Sequence, residues 1–245
     1  MPKNQNLVTQ KSGVSTNVIL TIVVVVVAVL VIGGVLLFNR SGDSGGDAGA
    51  GQPPVPAEVL RKPDSNVLTE APDGKVTVTE FLDYQCSTCH SYYSQLMKKV
   101  ENDYAGRITF VPRNFPLQMH PLGQNAARAA EAAALQGKFK EMYHALFDDW
   151  AGWATVNASE LNSDEAKANA KFEQYAQQIG LDVNRFKQDM VSPKVQAKID
   201  RDVADGEAAG VSGTPTIFIN GHKFEPSSGN VEQAFRQQLD QELAK

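Results

Sequence analysis

Cysteine is scarce: the 245-residue chain has two. That excludes a disulfide-stapled scaffold and a structural zinc site built from cysteine alone. Histidine is nearly as rare, with four residues, and His120, His144 and His222 have no recognisable zinc-ligand spacing. Basic residues are outnumbered by acidic ones, 23 against 28. A body without a basic stripe is unsuited to a nucleic-acid partner. An apolar content of 42% with 21% charged residues excludes wholesale disorder and collagen-like repetition. No internal repeat stands out.

Charge is missing altogether from residues 18–38, which read VILTIVVVVVAVLVIGGVLLF. As a helix this stretch is about 30 Å long, enough to cross a bilayer. A cleaved signal peptide has a shorter apolar run of about 7–15 residues, and no cysteine follows for lipid attachment. An uncleaved single-pass anchor is therefore expected. Lys3 and Lys11 precede it, and no acidic residue occurs before position 41. This basic excess predicts that the tail, residues 1–17, stays in the cytoplasm. The rest of the chain then faces outward from the cell membrane, where disulfides persist. Residues 39–57 (NRSGDSGGDAGAGQPPVPA) read as a Gly/Ser/Asp tether stiffened by prolines. Residues 58–245 are the expected folded domain.

Within that domain, residues 66–69 suit a short edge strand. After the Asp73-Gly74 turn, residues 75–82 alternate, with Val76, Val78, Glu80 and Leu82 on one face. A helix is expected from 86 to about 103, with Leu96, Met97 and Val100 as its apolar stripe, and a strand at 107–113. Helical rhythm follows over 121–136, 139–147 and 167–179. Ser192-Pro193 then reads as a cap and first residue of another helix. Residues 216–220 (TIFIN), an Asn220-Gly221 turn and residues 222–225 suggest paired strands, and a last helix carries Val231, Phe235, Leu239 and Leu243. The order is strand, helix, strand, helical block, strand, strand, helix: a mixed α/β sheet with a helical insertion at about 116–209.

Cys86-Ser87-Thr88-Cys89 falls between the first strand and its helix. Such a C-x-x-C reads as a thioredoxin-like redox pair. Free N–H groups at the helix start stabilise a thiolate on Cys86, and Cys89 lies close enough to close the disulfide. With His90 the pentapeptide also fits the c-type haem attachment pattern C-x-x-C-H. The strand before it, and the Gly213-Thr214-Pro215-Thr216 strand entry far downstream, favour the redox pair. Glu80, six residues before Cys86, is expected to be buried near the pair, with a raised pKa suited to relaying a proton to Cys89. If the Thr214–Pro215 bond is cis, the Thr214 backbone is open to an extended peptide.

Four stretches carry a family likeness: VTEFLDYQCSTC, ending at Cys89; RNFPLQMHPLGQNAARAAEAA, from Arg113; GKFKEMYHALF, from Gly137; and GVSGTPTIFING, from Gly210. With them the chain resembles the DsbA-like thiol:disulfide oxidoreductases of the thioredoxin superfamily. The resemblance implies a thioredoxin-like fold with an inserted helical domain. It implies Cys86 as nucleophile, Cys89 as resolving cysteine, Pro215 as a cis-proline facing them, and Thr214 as a backbone contact for substrate. Glu80 falls at the family's buried acid, and His120 in a stretch read as mainly structural. No separate cofactor is needed. The implied partners are exported proteins during folding and a quinone-linked membrane reoxidase. The chain departs from the pattern of strongly oxidising members, which often have Pro-His between the cysteines. Ser87 and Thr88 stand there instead, and His90 compensates only if its ring turns back toward Cys86. A disulfide reductase or isomerase, a haem electron carrier and a non-catalytic peptide-binding module are the competing readings.

Overall fold

The structure is a computed structural model and describes residues 53–226 and 229–245. The expected anchor at 18–38, the tail before it and most of the tether lie outside the described residues. Among the described residues no helix is long and apolar enough to cross a membrane.

Chain packing begins within the proline end of the expected tether. The Val55 N–H bonds the Gly221 carbonyl at 2.9 Å, and a short helix α1 (Ala57–Leu60) follows. The central strand β1 (Thr77–Leu82) pairs in parallel with β2 (Thr109–Asn114) and antiparallel with β5 (Thr216–Ile219). The two-residue β6 (His222–Lys223) completes a four-stranded sheet in the order β2-β1-β5-β6. Strands β3 (Thr155–Asn157) and β4 (Glu160–Leu161) form a separate hairpin. The edge strand expected at 66–69 is reduced to one antiparallel bridge, Thr69 to Phe110. At the β5–β6 turn, Asn220 and Gly221 have φ of 48° and 86°. These left-handed angles are those of a two-residue hairpin turn, which Asn-Gly tolerates best.

Alternation placed one face of β1 inward, yet both faces are covered. Val78 and Leu82 join the larger core with the helix that follows Cys86, whereas Phe81 packs with Leu60, Phe115, Val211 and Phe218 on the other side. A central strand flanked on both sides has helices over both faces and loses its alternating burial. Glu80 therefore sits on the same side as the cysteine pair, as expected.

That helix runs through α2 (Ser87–Tyr92), a π turn (Tyr93–Met97) and α3 (Lys98–Asp103), and Leu96, Met97 and Val100 are buried as the stripe predicts. The insertion comprises α4 (Gly123–Ala134), α5 (Phe139–Asp148), α6 (Trp150–Trp153), the β3–β4 hairpin, α7 (Glu165–Gln178), α8 (Val183–Met190) and α9 (Pro193–Ala208). Alanines at 126, 127, 129, 130, 132 and 133 are buried in α4. Such short side chains let α5 and α8 pack close to it. The Ser192 hydroxyl accepts from the Val195 N–H at the start of α9, as its Ser-Pro signature predicts. The last helix, α10, spans Val231–Ala244.

A buried ionic cluster fastens the insertion to the sheet. Arg113 of β2, fully buried, donates to Asp202 at 2.8 Å and Asp205 at 2.6 Å, both on α9, and to the carbonyls of Val59 and Leu60. Lys198 and Asn114 also bond Asp202, and Asn114 bonds Glu131 of α4. Each buried charge is thus matched, which its desolvation demands.

Candidate active site

β1 ends in the loop Asp83-Tyr84-Gln85, which delivers Cys86 to the first turn of α2. The Cys86 N–H bonds the Asp83 carbonyl at 3.1 Å, and its own carbonyl accepts the His90 N–H at 3.0 Å. Gln85 ties this loop to the insertion through three bonds. Its amide nitrogen donates to the carbonyls of Ala154 and Asn162, and its oxygen accepts the Leu122 N–H. Both sulfurs are unbonded thiols; Cys86 is 6% exposed and Cys89 fully buried.

The two sulfurs differ sharply in acidity. Cys86 is pushed down to about 5, chiefly by a hydrogen bond from the Cys89 thiol. Burial opposes this, while the backbone of Cys89 and Thr88 adds to it. Cys89 is pushed well above the usual thiol range by burial first, then by its bond to Cys86. Only the thiolate is nucleophilic, so of the two sulfurs Cys86 is the one held toward the reactive form.

The Thr214–Pro215 bond is cis. The Thr214 carbonyl lies 3.5 Å from the Cys86 sulfur, so the two predicted halves of the site meet across 128 residues of sequence. Glu80, on β1 opposite Ile217, is 2% exposed. Burial, and secondarily the charge on Cys86, push its carboxyl up to about 8. One of its oxygens has no hydrogen-bond partner among the described residues. Its charge in turn raises Cys89, so Glu80 acts electrostatically on the buried thiol.

Ser87 and Thr88 are exposed. Thr88, Tyr92 and Leu96 line a cavity of about 290 Å³ against Val231 and Glu232 at the start of α10. The ring of His90 stacks on Trp150, centroids 5.0 Å apart, and makes no hydrogen bond to Cys86. Burial lowers its pKa. His90 therefore does not supply the missing thiolate contact, because stacking holds its ring elsewhere. Trp150 also donates to the Tyr84 carbonyl, while Trp153 is core, bonded to the Leu146 carbonyl. Sequence reasoning did not single out Asp83 or Gln85. Their only signal is polarity in a loop directly before a reactive cysteine.

The family model described as Thioredoxin matches residues 67–241. The chain belongs to the thioredoxin family. Among solved structures, this chain is similar to a thioredoxin-like oxidoreductase from Silicibacter pomeroyi DSS-3, at 26% identity and a TM-score of 0.59 over 76% of this chain and 97% of that one. It shares its fold with BdbD from Bacillus subtilis, at 20% identity and a TM-score of 0.61 over 74% and 94% of the two chains. The same holds for α-DsbA1 from Wolbachia pipientis, at 21% identity and 0.61 over 76% and 94%. The thioredoxin-like fold expected from the four sequence stretches is thereby borne out. Curated relatives include the Na(+)/H(+) antiporter NhaA 1 of Mycolicibacterium vanbaalenii, 35% identical over 173 residues, which is 69% of this chain and 26% of that protein. The chain spans about a quarter of the length of the curated relatives it matches.

Proposed function

We propose that this protein is a DsbA-like thiol:disulfide oxidoreductase that donates its Cys86–Cys89 disulfide to exported proteins as they fold. A substrate thiolate attacks the Cys86 sulfur, and the Cys86–Cys89 bond breaks as the mixed disulfide forms. Cys89 departs as a poor leaving group because burial raises its pKa. Glu80, whose carboxyl holds its proton at neutral pH, is placed to give that proton up as the sulfur leaves. A second substrate thiolate then attacks the substrate sulfur and releases Cys86 as a stabilised thiolate. The substrate has lost two electrons and the pair has gained them; a quinone-linked membrane partner takes them away.

The observation that carries this reading is Cys86 at the start of α2, beside the sealed Cys89 and 3.5 Å from the Thr214 carbonyl, an arrangement that lowers the Cys86 pKa. A stabilised thiolate favours the reduced pair, so its disulfide is a good oxidant. Residues 18–38 tether the domain to the membrane with the catalytic face outside the cytoplasm. Protease added to spheroplasts should therefore digest it.

Equilibration with glutathione tests the direction of exchange. The expected potential is roughly −120 to −200 mV, between DsbA and the glutaredoxins. In cells the pair should be mostly oxidised, and Cys89→Ala should accumulate mixed disulfides with exported proteins. A mostly reduced pair, with a potential near that of thioredoxin, replaces the oxidase reading with a reductase or isomerase.

A further inference from the structure

His120 lies outside the cysteine motif and takes no part in the steps above. It sits in the loop between β2 and α4, where its Nδ1 approaches the Asp83 carboxylate at 2.7 Å. Asp83 is 1% exposed. The carboxylate also accepts the N–H groups of Gln85 and Leu117, each at 2.8 Å. The main chain of the same residue accepts the Cys86 N–H. Gly123 opens α4 directly against this carboxylate; a Cβ there would lie 2.8 Å from both oxygens. Asp83 is therefore a buried carboxyl group held by two backbone donors and one imidazole, with the first residue of α4 packed against it, in the loop that leads into Cys86. Among the described residues the Nε2 edge of His120 has no hydrogen-bond partner.

Resting on the thiol:disulfide exchange reading, we propose that His120, clamped by Asp83 as an imidazolium, is a positioning residue that places a positive charge beside the Cys86 loop. It would serve in place of a histidine between the cysteines. The three side chains nearest the motif in sequence do not fill that role: Ser87 and Thr88 are uncharged, and His90 is stacked on Trp150. Two charged groups bear on His120. Asp83 is the stronger and Cys86 the weaker, and both raise its pKa against the effect of burial. Hydrogen bonds from Cys89 and Thr88 dominate the acidity of Cys86 itself, so His120 acts on top of them.

Coupling between two titrating groups is reciprocal. If His120 favours the Cys86 thiolate, the thiolate must equally favour the imidazolium. The test is an NMR titration of the His120 ring in the wild-type protein, assigned by loss of its signal in His120→Gln. The ring should titrate at least 0.3 unit higher in the dithiol than in the disulfide, roughly a twofold change in its acid constant. Cys86→Ser should match the disulfide. The same His120 pKa in all three forms overturns the inference.

A second readout is the glutathione equilibrium constant. His120→Gln should shift it about two- to fivefold toward the disulfide, and His120→Arg, which keeps the charge, should shift it back. A purely structural residue changes melting temperature without moving this constant, and that result also overturns the inference. Exchange with glutathione that is indifferent to His120 sinks this inference alone. No exchange through Cys86 and Cys89 sinks the reading beneath it as well.

Discussion

Glu80→Gln should make the disulfide form more stable at pH 7 and barely change it at pH 4.5. The carboxyl is buried, with an ordinary value of 4.5 raised to about 8 in the folded chain. The unfolded chain gives up this proton near its ordinary value, and the folded chain keeps it until about 8. Between those limits the native state binds more protons than the unfolded one, so stability falls as pH rises. Integrated to pH 7, the full shift costs about 3 kcal/mol, and well under about 1 kcal/mol at pH 4.5. Glutamine has the shape and neutrality of the protonated acid, so the substitution removes this cost without opening a cavity. The disulfide form is the one to measure, since neither sulfur can ionise in it. It loses the lesser contribution of the Cys86 charge but retains burial, the larger one. The expected gain is therefore about 2–3 kcal/mol at pH 7. Urea unfolding at both pH values reads it directly. A variant that is less stable at pH 7, or that differs equally at both pH values, would refute the picture of a desolvated, proton-holding Glu80.

Other consequences are open to simple assays. The alkylation rate of the reduced protein should rise with a midpoint near pH 5, and Cys86 alone should react; a midpoint near 9 contradicts the stabilised thiolate. Because the folded Cys86 pKa is lowered, the dithiol should gain stability relative to the disulfide form as pH rises from about 5 toward 9, as paired unfolding curves of the two forms would show. Arg113→Met leaves Asp202 and Asp205 without their guanidinium partner and should destabilise by about 3–5 kcal/mol in denaturant unfolding. Gly206→Ala pushes a methyl to within 2.7–3.0 Å of Phe115 and Phe81, at a cost of about 1–3 kcal/mol by the same measurement.

The redox pair was legible because its chemistry is local. Two cysteines at one spacing, a strand before them and a helix after them need no distant information. The helix stops at Gly137 and Gly180 were equally plain, and both residues take positive φ. The α8 helix, α6 and the β3–β4 hairpin were not assigned from sequence. They are short, and helices of eight and four residues owe their stability to tertiary packing rather than intrinsic propensity. The two-sided burial of β1 was missed for a related reason: Thr79 and Phe81 read as an alternating second face until α1 and α9 are known to cover it. The Asp83–His120 pair joins residues 37 positions apart, and nothing in either local sequence names the other.

The 128 residues that separate Cys86 from Thr214 also set the order in which the site comes into being. A chain made from its N-terminus has both cysteines long before the loop that faces them exists. Until that loop docks, the thiols lack the contact from Thr214, and closing so long a loop is entropically slow. The newborn protein therefore passes through an interval in which its own sulfurs are exposed client-like thiols, open to the same exchange that we propose for the finished molecule.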